Sequence, residues 1–169
     1  MNVSELLIEH FDRLPDLVRS AVEDLTPEQL RWSPAPGANS VGWLVWHLTR
    51  VQDHHIAELL DQGQIWVEGD WARRFDLEAN PSNTGYGHSP EQAATVRPDS
   101  FQTLIDYYGA VAERTRDLLR HLTPEDLDRV VDKRWDPPVT LGVRLVSIAN
   151  DDVQHVGQAA YVRGLQSAR

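Results

Sequence analysis

Cysteine is absent from this 169-residue chain, and its absence excludes three kinds of chemistry. The chain can form no disulfide framework, no thiolate metal site and no cysteine nucleophile. A bound metal ion would have to be held by His, Asp or Glu side chains. Any thiol that takes part in a reaction would have to come from outside the chain.

Long apolar runs are absent as well. The chain begins MNVSELLIEHFDRL, where acidic and polar residues interrupt the apolar stretch that a signal peptide requires. No later stretch reaches the length of a membrane-spanning helix without charged residues. We therefore expect a cytoplasmic protein that does not insert into a membrane.

Positive charge is scarce. Sixteen basic residues stand against 26 acidic ones, which makes the net charge -10. The basic residues are scattered among acids, as Arg73 and Arg74 are beside Asp70 and Asp76. Nucleic acids and anionic membranes repel such a surface, so binding to either is not expected. The apolar fraction of 41% is that of a folded globular protein.

Sustained alternation of apolar and polar residues is also missing, so a β-sheet is not expected. Apolar residues instead recur at three- and four-residue steps in four segments, and this pattern predicts four helices. The segments span residues 6–25, 40–60, 100–122 and 140–163. Pro15 is expected to kink the first helix, because proline removes a backbone donor.

Three short motifs mark further helix starts, each with a hydroxyl residue followed by proline and an acid. They begin at Thr26, Ser89 and Thr123. Residues 61–99 are rich in Trp, Gly, Pro and Asn, and a connection of that length usually has a function or crosses a bundle. We predict one all-α domain over residues 1–169, a four-helix bundle with a long crossover between helices 2 and 3.

A faint internal repeat supports this bundle. Residues 25–30 read LTPEQL and residues 122–127 read LTPEDL. Each motif leads through a proline-containing loop into a long predicted helix, so both halves of the chain repeat one helix–loop–helix unit. Paired units of this kind form a bundle with one long crossover in its middle.

Histidines and acids in the second and fourth helices suggest a metal site. Asp151 and His155 are four residues apart and can point at one ion from the same helix face. If helices 2 and 4 are adjacent, His47 converges with them into a set that suits zinc, nickel, manganese or ferrous iron. Three protein ligands leave a position open for water or substrate. Asp152 is an alternative to Asp151 as the acidic ligand.

The histidines also have plainer interpretations, since Asp and His four residues apart are common on solvated helices. His55 lies near the centre of its apolar stripe and is interpreted as a core histidine bonded to a carbonyl. His54 is expected near the site but not as a ligand. His10, His88 and His121 show no partner pattern and are expected at surface or loop positions. At least half of the six tryptophans are expected in the core.

Two segments carry a resemblance to a known family. Residues 25–48 read LTPEQLRWSPAPGANSVGWLVWHL, and residues 150–158 read NDDVQHVGQ. Both are similar to the DinB-like superfamily, and most similar to the branch related to the N-terminal domain of mycothiol-dependent maleylpyruvate isomerase. The resemblance covers nearly the whole chain. It implies a bundle of up-down-down-up topology whose metal ligands match His47, Asp151 and His155.

The family more often has His or Glu where this chain has Asp151, and the shorter side chain bears on metal identity and affinity. Zinc is the expected ion, with nickel, manganese and iron as alternatives. Pairing of two copies into a homodimer is a further implication of the resemblance, although no face for it stands out in the sequence.

Three functions follow as hypotheses. The first is a metal-dependent S-transferase or isomerase that activates a low-molecular-weight thiol, such as mycothiol or bacillithiol, against a small electrophile. In it Arg163 would hold an anionic group of the thiol, and a plain surface or C-terminal capping role is the alternative for this residue. The second is a metal-dependent hydrolase in which Asp152 or His54 serves as the general base. The third is a non-catalytic stress or binding protein with a weak metal site.

Overall fold

The structure, a computed structural model, describes residues 1–168. Nine α-helices and two short strands lie within that range, together with a 3-10 helix at Glu125–Asp128. The elements are α1 (Val3–Phe11), α2 (Leu14–Val22), α3 (Pro27–Arg31), α4 (Val41–Leu60), α5 (Ile65–Glu68), α6 (Trp71–Arg74), α7 (Pro90–Ala93), α8 (Phe101–Leu119), β1 (Val130–Asp132), β2 (Val139–Thr140) and α9 (Leu141–Ser167).

The four predicted helical segments are present, and they form the body of the molecule. Helix α4 packs along α9 on one side and against α8 on the other, while α2 packs against both α8 and α9. This arrangement confirms the all-α fold class, whereas the up-down-down-up order of helix directions stays a prediction. Within residues 1–168 no helix combines the length and the apolar character needed to cross a membrane.

The first predicted helix is two helices, α1 and α2. Pro15 occupies the first turn of α2, where its missing backbone N–H removes no helical hydrogen bond. Helix α1 ends at Phe11, and the chain turns at Asp12 and Arg13 before α2 begins. The expected kink is therefore a complete break between two helices.

The predicted helix starts are confirmed at two of the three motifs. Thr26 and Ser89 each form a reciprocal capping box with the glutamine three residues later. At Thr123 a short helix does follow, but the prediction that Thr123 caps it was wrong. There the Asp126 carboxylate accepts hydrogen bonds from the backbone N–H and the hydroxyl of Thr123, and a 3-10 helix without a side-chain cap follows.

A two-stranded antiparallel sheet, β1 with β2, was not predicted. The strands contain three and two residues, which is too short for a visible two-residue alternation. The second strand ends at Thr140, whose side chain then caps α9. The hairpin therefore sets the point at which α9 starts.

The core lies between the long helices and beneath residues 61–99, which form the crossover. Trp43, Trp46 and Trp66 are buried, which agrees with the expectation that at least half of the tryptophans fill the core. Trp135, by contrast, is exposed over 64% of its surface. The crossover contains the short helices α5, α6 and α7 and runs back over α4.

Candidate metal centre

Two capped helices position the predicted ligands. The side chain of Ser40 accepts a hydrogen bond from the backbone N–H of Trp43 and starts α4, while Thr140 does the same for Val143 at the start of α9. Both caps satisfy backbone donors that helix geometry leaves free. Because α4 and α9 pack along each other, a histidine in the second turn of α4 can face the middle of α9.

The structure brings together all three predicted ligands. One potential ligand atom from each of His47, Asp151 and His155 lies within 4.8 Å of the others. The two imidazole rings meet edge to face, with their centroids 4.7 Å apart. His47 is buried, and the other two side chains are half-buried. The three side chains are therefore close enough to share one ion.

Hydrogen bonds fix the proton of each histidine on the ring nitrogen that faces away from the cluster. Nδ1–H of His47 donates to the backbone carbonyl of Thr84 at 2.6 Å. Nδ1–H of His155 donates to Oε1 of Gln158 at 2.9 Å. Both acceptors are carbonyl oxygens that cannot donate, so in each neutral ring Nε2 keeps its lone pair. Bonds of this kind orient histidine ligands in metal sites.

One of the two carboxylate oxygens of Asp151, Oδ2, has no hydrogen-bond partner among the residues that the structure describes. The other oxygen, Oδ1, lies 3.4 Å from Nε2 of His155. Oδ2 is also buried. A buried carboxylate oxygen without a partner is costly unless a cation or donor meets it. The residues present therefore fit a divalent metal ion.

The local electrostatics differ between the two histidines. Burial lowers the pKa of His47, and the bond to Thr84 only partly offsets this effect. Burial also lowers the pKa of His155, but the hydrogen bonds with Asp151 and Gln158 outweigh it, so that pKa lies above its ordinary value. A proton on His155 competes with a metal ion for the same Nε2 lone pair.

Asp152, the alternative acidic ligand, does not belong to the cluster of His47, Asp151 and His155. It is fully buried, and burial raises its pKa well above the ordinary value. Neither of its carboxyl oxygens has a hydrogen-bond partner in the part of the chain that the structure describes. It is Asp151, not Asp152, that the structure groups with the two histidines.

The crossover covers the site with residues that the sequence analysis did not single out. Gly85 is buried with φ of +89°, and a Cβ there would lie 2.7 Å from Nδ1 of His47. Only glycine allows this backbone conformation and this approach. The Thr84-Gly85-Tyr86-Gly87 stretch, with two glycines in four residues, was a signal for such a close approach.

His88 has hydrogen-bond partners that no pattern in the sequence indicated. It lies in the crossover as expected, but its Nδ1 accepts a hydrogen bond from Nε1 of Trp43 at 3.3 Å. Its Nε2–H donates to Oδ1 of Asn83 at 2.9 Å. Trp43 in turn stacks on His47, with ring centroids 4.6 Å apart. His88 therefore helps to hold the aromatic wall of the site.

A cavity of about 450 Å³ lies beside His47 and Asp151, with walls from α4, α9 and the crossover. Val51 and Ile148 supply apolar surface, and Thr84, Tyr86 and Ser147 supply hydroxyl groups. A cavity of this size accommodates a small molecule. Arg163 and Asp152 do not line it.

A second group of potential ligands, His54, His55 and Glu58, also lies within 4.8 Å of one another. Nδ1 of His54 accepts a hydrogen bond from Gln64, and Nε2 of His55 accepts one from Arg144. The ring nitrogens nearest Glu58 therefore carry the protons. With a guanidinium alongside, this group is less suited to a cation than the first.

The interpretation of His55 as a core histidine bonded to a carbonyl was wrong. The ring is half-buried, and its partners are the Glu58 carboxylate, at 3.4 Å, and the Arg144 guanidinium, at 3.3 Å. Burial lowers the pKa of His55 to about 4, and the positive charge of Arg144 adds to the effect. His54 lines the cavity, in agreement with its expected place near the site.

Comparison with known proteins identifies the family. A family model of the DinB superfamily matches residues 10–159. The chain belongs to the DinB superfamily. Its structure is similar to the crystal structure of a conserved protein from Enterococcus faecalis, with a TM-score of 0.90, 36% identity, and coverage of 100% of this chain and 99% of that chain.

A DinB-like protein from Bacillus cereus shares the fold at lower identity. Its TM-score is 0.63 and its identity 20%, with 96% of this chain and 92% of that chain covered. None of the curated proteins matches the chain. The family and the fold are thus established for this DinB protein, while its branch within the superfamily stays a prediction.

Proposed function

We propose that this DinB protein binds one divalent metal ion, zinc, through Nε2 of His47, a carboxylate oxygen of Asp151 and Nε2 of His155. The observation that carries the proposal is that each histidine donates its Nδ1–H to an oxygen acceptor. This arrangement presents two lone pairs beside a carboxylate. Nickel, manganese and ferrous iron accept the same ligands and are the alternatives to test.

The proposed activity is a thiol-dependent S-transferase or isomerase reaction on a small electrophile. With three protein ligands, a bound ion would act as a Lewis acid that lowers the pKa of a thiol placed beside it. The chain has no cysteine, so the nucleophile would be an external low-molecular-weight thiol of the mycothiol or bacillithiol type. The cavity beside the ligands supports a small-molecule substrate.

The residues around the cavity would bind and orient that substrate. The Ser147 hydroxyl donates to the backbone carbonyl of Val143 at 2.9 Å, which leaves its oxygen lone pairs as acceptors. Val51 and Ile148 would contact the apolar part of the substrate. The Thr84 carbonyl would keep His47 in the tautomer that leaves Nε2 free.

The hydrolase alternative finds less support from the proposed bases. Asp152 is fully buried and does not line the cavity. His54 lines it, but Gln64 donates to its Nδ1, so its proton is on Nε2 and that nitrogen can donate but not accept. A neutral histidine in this tautomer has no free lone pair, because Gln64 occupies that of Nδ1 and Nε2 carries the proton.

The test is metal content in protein purified without an affinity tag. We expect about one equivalent of a transition metal in the parent and its loss in His47→Ala and His155→Ala. His121→Ala, at an exposed position two residues after the end of α8, is the control and should retain the metal. Added zinc should raise the Tm of the parent and of the control but not of the other two variants.

Conjugation of model electrophiles with candidate thiols is measured next, with and without metal. Turnover that requires both metal and thiol would support the transferase, and turnover without thiol would favour the hydrolase. A parent that contains no metal and shows no thermal shift with zinc, nickel or manganese would refute the metal centre. That result would favour the stress or binding protein.

The exposed face of α9 supports the proposed homodimer. Its exposed positions from 143 to 165 include no charged residue, although the chain has a net charge of -10. These positions are Val143, Val146, Ser147, Asn150, Val153, Gln154, Gly157, Gln158, Ala160, Tyr161, Gly164 and Leu165. Two copies of an acidic protein can approach through such a face without like charges in contact.

A further inference from the structure

Arg50 is a fully buried arginine in α4, three residues after His47. Its guanidinium lies over the ring of Trp66 at 4.9 Å. It donates hydrogen bonds to oxygen atoms in five residues: Asn83 (backbone carbonyl, 3.1 Å), Pro81 (backbone carbonyl, 3.1 Å), Gln64 (2.8 Å), Tyr107 (3.2 Å) and Asp53 (3.3 Å). Every one of its nitrogens therefore has an acceptor.

The paired acid, Asp53, binds the start of the crossover. Its carboxylate accepts hydrogen bonds from the backbone N–H groups of Ile65, at 2.9 Å, and Trp66, at 2.8 Å. It also accepts one from the hydroxyl of Tyr107 at 2.7 Å. Because burying two charges is costly unless their hydrogen bonds are satisfied, this pair needs the crossover in one fixed position on α4.

The later part of the crossover connects Arg50 to the candidate metal centre. Arg50 holds the carbonyl of Asn83, and the next residue, Thr84, presents the carbonyl that accepts Nδ1–H of His47 at 2.6 Å. His47 and Arg50 are three residues apart on one helix and therefore lie on the same side of it. Successive carbonyls of one segment are thus bound by two side chains of α4.

We infer that Arg50 is a positioning residue for the metal centre. Arg50 fixes the carbonyls of Pro81 and Asn83. The neighbouring Thr84 carbonyl is thereby placed where it accepts Nδ1–H of His47 and keeps the proton on that nitrogen. His47 then presents Nε2 to the ion. The inference rests on the proposed function for its relevance to metal binding, but the effect on His47 belongs to the metal-free protein.

Arg114 offers a matched control, because it also binds the crossover. It donates to the backbone carbonyl of Gly63 at 2.6 Å and to the Glu68 carboxylate at 2.9 Å. Both contacts lie before residue 81, away from Thr84. Loss of Arg114 would therefore disturb the attachment of the crossover without releasing the carbonyl that holds His47.

The experiment measures the ring-nitrogen chemical shifts of His47 in metal-free protein with 15N-labelled histidine, at mildly alkaline pH. Zinc affinity is measured by competition with a chelator. The variants are Arg50→Lys, which keeps the charge beside Asp53, and the double variant Arg50→Met with Asp53→Asn, which leaves no buried unpaired charge. Arg114→Met is the control, and a cooperative thermal transition verifies that each variant is folded.

We expect the parent and Arg114→Met to show His47 with its proton on Nδ1. In the two Arg50 variants the shifts should report a mixture of tautomers, and zinc affinity should fall about 10- to 100-fold, as for other residues that orient ligands. Unchanged shifts and affinity in either folded Arg50 variant would overturn the inference. Failure of both to fold would assign Arg50 to stability alone and would overturn it too.

The same data separate this inference from the proposed function. A parent that binds no zinc refutes the metal centre, while the His47 shifts in metal-free protein still decide the role of Arg50. If the parent binds zinc and the Arg50 variants bind it equally tightly, the metal centre is supported and the positioning role of Arg50 is refuted.

Discussion

At the scale of single residues, the two histidines of the candidate metal centre are held in different ways. His47 is buried and bonded to a backbone carbonyl of the crossover, whereas His155 is bonded to the exposed side chain of Gln158. A backbone acceptor loses little freedom in the bond, while a side-chain amide must be ordered. The geometry of His47 is therefore the more rigid of the two.

Gly85 provides a direct test of that rigidity. Gly85→Ala places a Cβ 2.7 Å from Nδ1 of His47 at φ of +89°. We expect a loss of unfolding free energy above the roughly 1–2 kcal/mol that a left-handed conformation costs a non-glycine residue, together with weaker zinc binding. Denaturant unfolding and chelator competition measure the two effects.

Gly87→Ala is the matched control. Gly87 also has a positive φ, of +73°, but no described atom lies within 4 Å of a Cβ placed there. We expect this variant to show the backbone cost alone and to keep the zinc affinity of the parent. Equal effects of the two substitutions would contradict the close approach at His47.

His55 predicts a pH dependence of stability. Burial and Arg144 lower its pKa from 6.5 to about 4 in the folded protein. Between these values the unfolded chain binds a proton that the folded protein does not, so the unfolding free energy decreases as the pH falls from 6.5 to 4. The decrease is at most about 3 kcal/mol.

His55→Gln should make the dependence of unfolding free energy on pH shallower in this window. Urea unfolding at a series of pH values measures the slope. His121→Gln, at an exposed position, is the control and should leave the slope as in the parent. An unchanged slope in His55→Gln would show that His55 is protonated equally in the folded and unfolded states.

At the scale of elements, the ligands depend on how α4 and α9 pack along each other. Ser40 and Thr140 cap the two helices and stabilise their first turns. A shift of one helix by one residue relative to its partner would rotate the side chains that face the partner by about 100°. The caps therefore contribute to stability, while the packing of the two helices places the ligands.

Thr140→Ala removes the cap of α9. The Thr140 side chain accepts from the backbone N–H of Val143 at 3.4 Å, and such a cap contributes about 1 kcal/mol. We expect Thr140→Ala to lower the unfolding free energy by that amount in denaturant titrations. Thr140→Ser retains the hydroxyl and should stay close to the parent. A loss of equal size in both variants would point to the methyl group of Thr140 instead.

At the scale of the whole molecule, the proposed homodimer predicts a charge-sensitive interface. Val153 is 45% exposed near the middle of the uncharged face of α9. Val153→Glu would place two carboxylates in the interface of a symmetric pair, so we expect light scattering to report a dimer for the parent and a monomer for the variant.

Leu6→Glu is the control for that experiment. Leu6 is 57% exposed on α1 and is not part of the uncharged face of α9, so the substitution should leave the dimer intact. A monomeric parent, or a Val153→Glu variant with the mass of a dimer, would refute pairing through α9.

Much of this fold was predictable because helices leave periodic marks in a sequence. The apolar steps identified α4, α8 and α9, and the proline motifs at Thr26 and Ser89 identified two short helices. The hairpin of β1 and β2 was missed because its strands are too short for a pattern. Elements shorter than about one turn or three strand residues carry no period to detect.

The sequence alone determined which helices carry the candidate ligands, because Asp151 and His155 are one turn apart and a helix keeps such residues on one face. Tertiary structure alone decided what surrounds them. The bond of His47 to the Thr84 carbonyl, the Gly85 approach and the bond of Arg50 to the Asn83 carbonyl join residues 33 to 38 positions apart, through irregular backbone without periodic spacing. Such contacts depend on the path of the crossover over α4, and that path follows from packing of the whole molecule.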